Sequence, residues 1–94
     1  MKIVDIIWLP QVIDKLDWKH NVDPEEVEEI LFGQPFYRKI QKGHISGEDL
    51  YAALGQTDAG RYLIIFFIYK STQEALIISA RDMDKKERRQ YERR

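Results

Sequence analysis

The chain has 94 residues, 44% apolar and 33% charged, and contains no cysteine. That length supports one core, the apolar share argues against wholesale disorder, and the missing thiols exclude a disulfide framework and Cys-ligated zinc. The formal net charge of −1 argues at first sight against nucleic acid, but residues 1–80 carry eight Lys/Arg against twelve Asp/Glu, whereas residues 81–94 carry seven against four.

In chain order, residues 2–8 are β-branched and apolar and predict a short opening strand. Pro10 suits the first turn of a helix, where its missing N–H does no harm. Val12, Ile13, Leu16 and His20 follow at helical spacing, and Asn21 tolerates the left-handed conformation that ends a helix. Asp23, Pro24 and Glu26 then read as an Asp-x-x-Glu capping box with proline at the first helical position. Glutamates at 25, 26, 28 and 29 load the end of this second helix that its dipole makes positive. Val27, Ile30 and Leu31 mark its buried face, and Gly33 with Pro35 stops it.

From Phe36 the period changes. Strands are predicted over 36–41, 50–56, 61–69 and 75–79, separated by a loop over 42–47 and turns over 57–60 and 70–74. The third of these is apolar on both faces and therefore central. Short connections imply a four-stranded antiparallel meander. Asp84 opens a last helix with a second capping box, Asp84-x-x-Glu87, running to about Arg93. The order β-α-α-β-β-β-β-α is an α+β architecture in a single domain over residues 1–94. The longest apolar run, 62–69, is far below the ~20 residues of a spanning helix. Lys2 and Asp5 make the start unlike a secretory leader, so a cytoplasmic protein without membrane contact is expected.

Chemistry-bearing residues are few. His20 and His44 lie 24 positions apart, outside any metal-ligand spacing, so neither metal nor cofactor is expected. The five glycines form no phosphate loop, and Ser46, Ser71 and Ser79 lack the context of a nucleophile elbow. What remains is cationic and phenolic: Lys19, His20, Arg61, Tyr69, Arg81, Arg88, Arg89 and Tyr91. Arg88 and Tyr91 are three apart and share a helix face. Arg81 is expected just past a strand end, and Lys19 and His20 at a helix end. Such a set suits phosphodiester chemistry without metal, with arginines on the phosphate and a Lys, His or Tyr moving protons. The same residues also fit a bland role. Lys19 and His20 complement a helix dipole, while Lys85, Lys86, Arg88 and Arg89 form a solvated face paired with Glu87 and Glu92.

Three strings resemble the BrnT family of toxins. They are Lys19-His20-Asn21-Val22-Asp23 followed by Pro24-Glu25-Glu26-Val27; Gly55 with Gly60-Arg61-Tyr62-Leu63; and Ile77-Ile78-Ser79-Ala80-Arg81 followed by Glu87-Arg88-Arg89 and Tyr91-Glu92. Order and spacing are kept over about residues 8–92. The resemblance implies a RelE-like α+β fold and the toxin half of a type II toxin–antitoxin pair, a ribonuclease that degrades RNA and arrests translation. It also implies a ribbon-helix-helix antitoxin, with operator DNA bound only through the antitoxin complex.

Carried over by position, Lys19, His20, Arg81, Arg88 and Tyr91 become catalytic candidates, with Glu87 also a functional position. Arg61, also a carried-over position, is expected to contact RNA together with Arg89 and Lys85 of the basic tail. Asn21 stands where the family has glycine, and Leu50 where it commonly has arginine. Leu50 keeps open a second reading, a catalytically weakened module that binds RNA or antitoxin.

Overall fold

The computed structural model describes residues 1–45 and 47–94; Ser46, in the expected loop, lies outside the described residues. The elements are β1 (Asp5–Ile7), α1 (Pro10–Lys15), α2 (Pro24–Leu31), β2 (Phe36–Gln41), β3 (Asp49–Gln56), β4 (Tyr62–Tyr69), β5 (Glu74–Asp82) and α3 (Lys85–Glu92). Between α1 and α2 the helix widens into a π turn, Leu16–His20. The expected first helix is thus two conformations in series, and it ends as anticipated, with Asn21 left-handed at φ 52° and ψ 47°. Pro24 stands at the start of α2, and the Glu26 side chain accepts from the Asp23 N–H at 3.0 Å. Both halves of the second capping box are made: Glu87 N–H donates to Asp84 at 2.7 Å, and Asp84 N–H donates to Glu87 at 2.9 Å.

The five strands form one sheet in the order β1-β5-β4-β3-β2. β2 to β5 pair antiparallel in sequence, but β1 adds a fifth strand parallel to β5, with Ile6 opposite Ala75. The sheet is therefore mixed, which corrects the four-stranded expectation. Its cause is tertiary. The N–H of Val4 reaches the carbonyl of Gln73 at 2.9 Å, and the Tyr69 hydroxyl donates to the Lys2 carbonyl, tying the first residues to that edge.

β5 also runs three residues further than the apolar pattern suggested, so Arg81 lies within a strand, opposite Ile64, rather than beyond it. Its charge does not end the strand because α3 supplies a carboxylate there.

Alternation on β4 sends Leu63, Ile65 and Phe67 to one face and Ile64 to the other, all fully buried. The first face packs on Leu16, Val22, Val27, Ile30 and Leu31 of the helical side. The second packs with Ala52 and Leu54, lined by Phe36, Phe66, Met83 and Tyr91 beneath α3. The expected central strand is central, although its Tyr62 and Phe66 remain partly exposed. Gly55 permits a close approach of α2 to the sheet, since a Cβ there would stand 2.7 Å from Cγ2 of Ile30. Gly60, at φ 98°, closes the turn into β4.

Candidate functional site

Arg61, at the entrance to β4, is a hub. Its Nε donates to Asp82 at 2.8 Å, and Nη1 donates to the Asn21 carbonyl at 2.5 Å and to Glu26 at 3.1 Å. Nη2 donates to the His20 carbonyl at 2.9 Å. The guanidinium thus binds the end of β5, the start of α2 and the two carbonyls that the helix end leaves without partners. Hydrogen bonding and charge from Asp82, then the charge of Glu26, raise its pKa above the ordinary arginine value. Expected as an RNA contact, it is instead engaged within the fold.

Arg81 stands on the opposite face of the sheet. Its two Nη atoms grip Glu87 at 2.7 and 2.9 Å, and the guanidinium lies 5.5 Å from the Phe66 ring centroid. Glu87 is almost fully buried among the residues of α3. The Arg81 hydrogen bonds, helped by the Asp84 N–H, hold its carboxyl below the ordinary glutamate range. Arg81 is raised in turn by Glu87. This pair fixes the first turn of α3 on β5.

Next to it, Arg88 lies 3.9 Å from the centroid of the Tyr62 ring, and Tyr91 meets the same ring edge-on at 6.0 Å. The shared face expected for Arg88 and Tyr91 exists, and Tyr62 is what joins them. Arg88 is 52% exposed, and its only carboxylate among the described residues is Glu92 at 3.4 Å. Arg94 covers Tyr91 at 3.7 Å.

Along the other flank of α3 runs a groove of about 720 Å³ lined by Phe36, Arg38, Lys86, Arg89, Gln90, Arg93 and Arg94. Five of these seven are cationic and none is acidic. Arg38 donates to Gln90 at 2.5 Å, which joins β2 to the helix. Arg89 therefore lies in this groove, whereas Lys85 is exposed on α3 and lines none of it. Composition had flagged a basic tail, but Arg38 comes from a strand 48 residues before Lys86 and only folding brings it there. Tyr62 was equally hidden, read as interior strand. Its alternation with Ile64 and Phe66 was the available signal.

Lys19 is exposed and His20 partly buried at the end of the π turn. They belong to the helical face, with Arg61, while Arg81, Arg88 and Tyr91 belong to the α3 face. Among the described residues no hydrogen bond or ion pair joins the two groups. Tyr69, the other phenol considered, bonds the Lys2 carbonyl at the far end of β4. Leu50 pairs with Ile68 and lines, with Ile68, Ile78 and His44, a small hollow on the sheet face beyond α3. Among the described residues no three His, Asp or Glu side chains cluster so as to hold a metal ion. Among the described residues no helix is long and apolar enough to cross a membrane.

Compared with known families, residues 14–87 match the model described as "Ribonuclease toxin, BrnT, of type II toxin-antitoxin system". No curated protein matches the chain.

Proposed function

The chain belongs to the BrnT family of ribonuclease toxins of type II toxin–antitoxin systems, and we propose that it is a cytoplasmic, metal-independent endoribonuclease with a RelE-like fold that arrests translation. The supporting observation is the pairing of Arg88 with Tyr91 on the Tyr62 ring, which sets an exposed cation beside a phenol at one end of the sheet. In this reading the ribose 2′-oxygen attacks its own phosphorus and the bond to the 5′-oxygen breaks. The products are a 2′,3′-cyclic phosphate and a 5′-hydroxyl, and the required 2′-hydroxyl selects RNA over DNA.

Arg88 stabilises the developing phosphorane charge, Arg81 is held in place by Glu87, and Tyr91 protonates the leaving oxygen. His20 and Lys19 are the candidates for the 2′ proton. Arg61 itself holds the carbonyls of His20 and Asn21, which anchors their turn beside the start of β4. A ribbon-helix-helix antitoxin neutralises the toxin, and operator DNA is engaged through that complex alone.

The test is RNA cleavage by purified protein with chelator present. Arg88→Ala is expected to lose about 10²–10³-fold in rate, as for loss of one preorganised donor; cleavage by that variant at the wild-type rate would overturn the assignment. Leu50 favours the second reading, because it places an aliphatic side chain among Ile68 and Ile78 where the family commonly carries a cation. A protein that binds antitoxin or RNA yet leaves RNA intact would establish that reading instead.

A further inference from the structure

We propose that the groove between β2 and the outer flank of α3 holds the sugar–phosphate backbone of a single-stranded RNA tract beside the cleaved step, so that the protein prefers a chain over a dinucleotide. This rests on the ribonuclease reading. Lys86, Gln90 and Arg93 fall at i, i+4 and i+7 and so share one flank of α3, away from Arg88 and Glu92. Arg89 and Arg93 are themselves four apart, a like-charge spacing that destabilises a helix on its own.

Among the described residues none of Lys86, Arg89, Arg93 and Arg94 is ion-paired to a carboxylate, although the chain holds 16 acidic residues against 15 basic. A bound polyanion supplies the missing counter-charge. Protein interfaces centre on an apolar core, and this groove offers a single ring, Phe36, and no aliphatic residue. Cations beside one half-buried aromatic match instead a phosphate backbone whose bases stack on a ring or a guanidinium plane. The eight residues of α3 extend about 12 Å, which suits a short single strand better than a duplex.

The experiment measures anisotropy of labelled 2′-O-methyl RNA, which is blocked against 2′ attack, as a dinucleotide and as a chain of about ten nucleotides. Wild type is expected to bind the longer chain more tightly. The Lys86→Ala/Arg93→Ala pair is expected to lose about fivefold in that affinity. Its slope of log affinity against log salt is expected to be shallower by about 1.4, two phosphate contacts on a single strand.

A control pair, Lys2→Ala/Lys15→Ala, removes the same charge elsewhere and is expected to change neither quantity. Equal losses from both pairs would overturn the proposal in favour of a general field. Intact RNA affinity with lost antitoxin capture by the groove pair would overturn it in favour of an acidic protein segment. Cleavage of unmodified RNA is read separately, so loss of the ribonuclease reading and loss of the groove are distinguishable.

Discussion

Arg61 and the arginines lining the α3 groove are the same side chain in opposite company. Arg61 meets two carboxylates and two backbone carbonyls drawn from three separate parts of the chain. Arg93 and Arg89 stand beside other cations, with no acidic neighbour in the groove. A guanidinium whose N–H groups are nearly all taken by internal acceptors has little left for a ligand and contributes to stability. One left among like charges contributes little to stability and is free to meet an anion. Counting charge along the chain cannot separate these two cases, because what differs is the partner and not the residue.

Substitution tests the contrast between these arginines. Arg61→Ala removes four contacts and leaves Glu26, Asp82 and the carbonyls of His20 and Asn21 without their donor. A loss of about 3 kcal/mol in urea unfolding is expected, within the range for removing one partner of a part-buried network. Arg61→Lys is expected to recover little, since an ammonium cannot span the same fork of acceptors. Wild-type unfolding of Arg61→Ala would abolish the distinction.

Glu87→Gln keeps the shape of its side chain but removes the charge that grips Arg81 and weakens the cap of α3. About 2 kcal/mol is expected, read from the urea midpoint.

Acid reads the same pair without mutation. The folded-state pKa of Glu87 lies below its unfolded value, so its stabilisation is complete above the ordinary glutamate range near pH 4 and is lost as pH falls through the lower, folded value. Wild type is therefore expected to lose stability more steeply than Glu87→Gln below about pH 4. Parallel curves would show that this carboxyl does not govern the acid limb. Smallest of all, Arg93→Ala is expected to shift stability by less than about 0.5 kcal/mol. A large destabilisation there would mean that the groove is structural after all.

Much of the fold was legible because its signals are local. Asp23, Pro24 and Glu26 announced α2, Asp84 and Glu87 announced α3, and Asn21 took its left-handed turn, each depending on neighbours within a few residues. The eight apolar residues from Tyr62 identified the central strand. Less legible were features set by distant partners. The parallel seat of β1 depends on the edge of β5 some 70 positions later. The extension of β5 through Arg81 depends on Glu87 arriving from α3. The π turn that ends at His20 left no mark in the apolar spacing.

Local chemistry along the chain dictates the element order, the capped helices, the concentration of positive charge after residue 80 and the strings shared with a toxin family. Folding settles which of those charges are internal. It closed Arg61 around the helix ends, placed Tyr62 between Arg88 and Tyr91, separated Lys19 and His20 onto the other face, and carried Arg38 across from β2 to complete a groove without acids. The physical reason is that helix caps and strand periods are energies of adjacent residues. Whether an arginine is a buttress or a ligand-binding cation is an energy of groups that only the folded chain brings within 3 or 4 Å of one another.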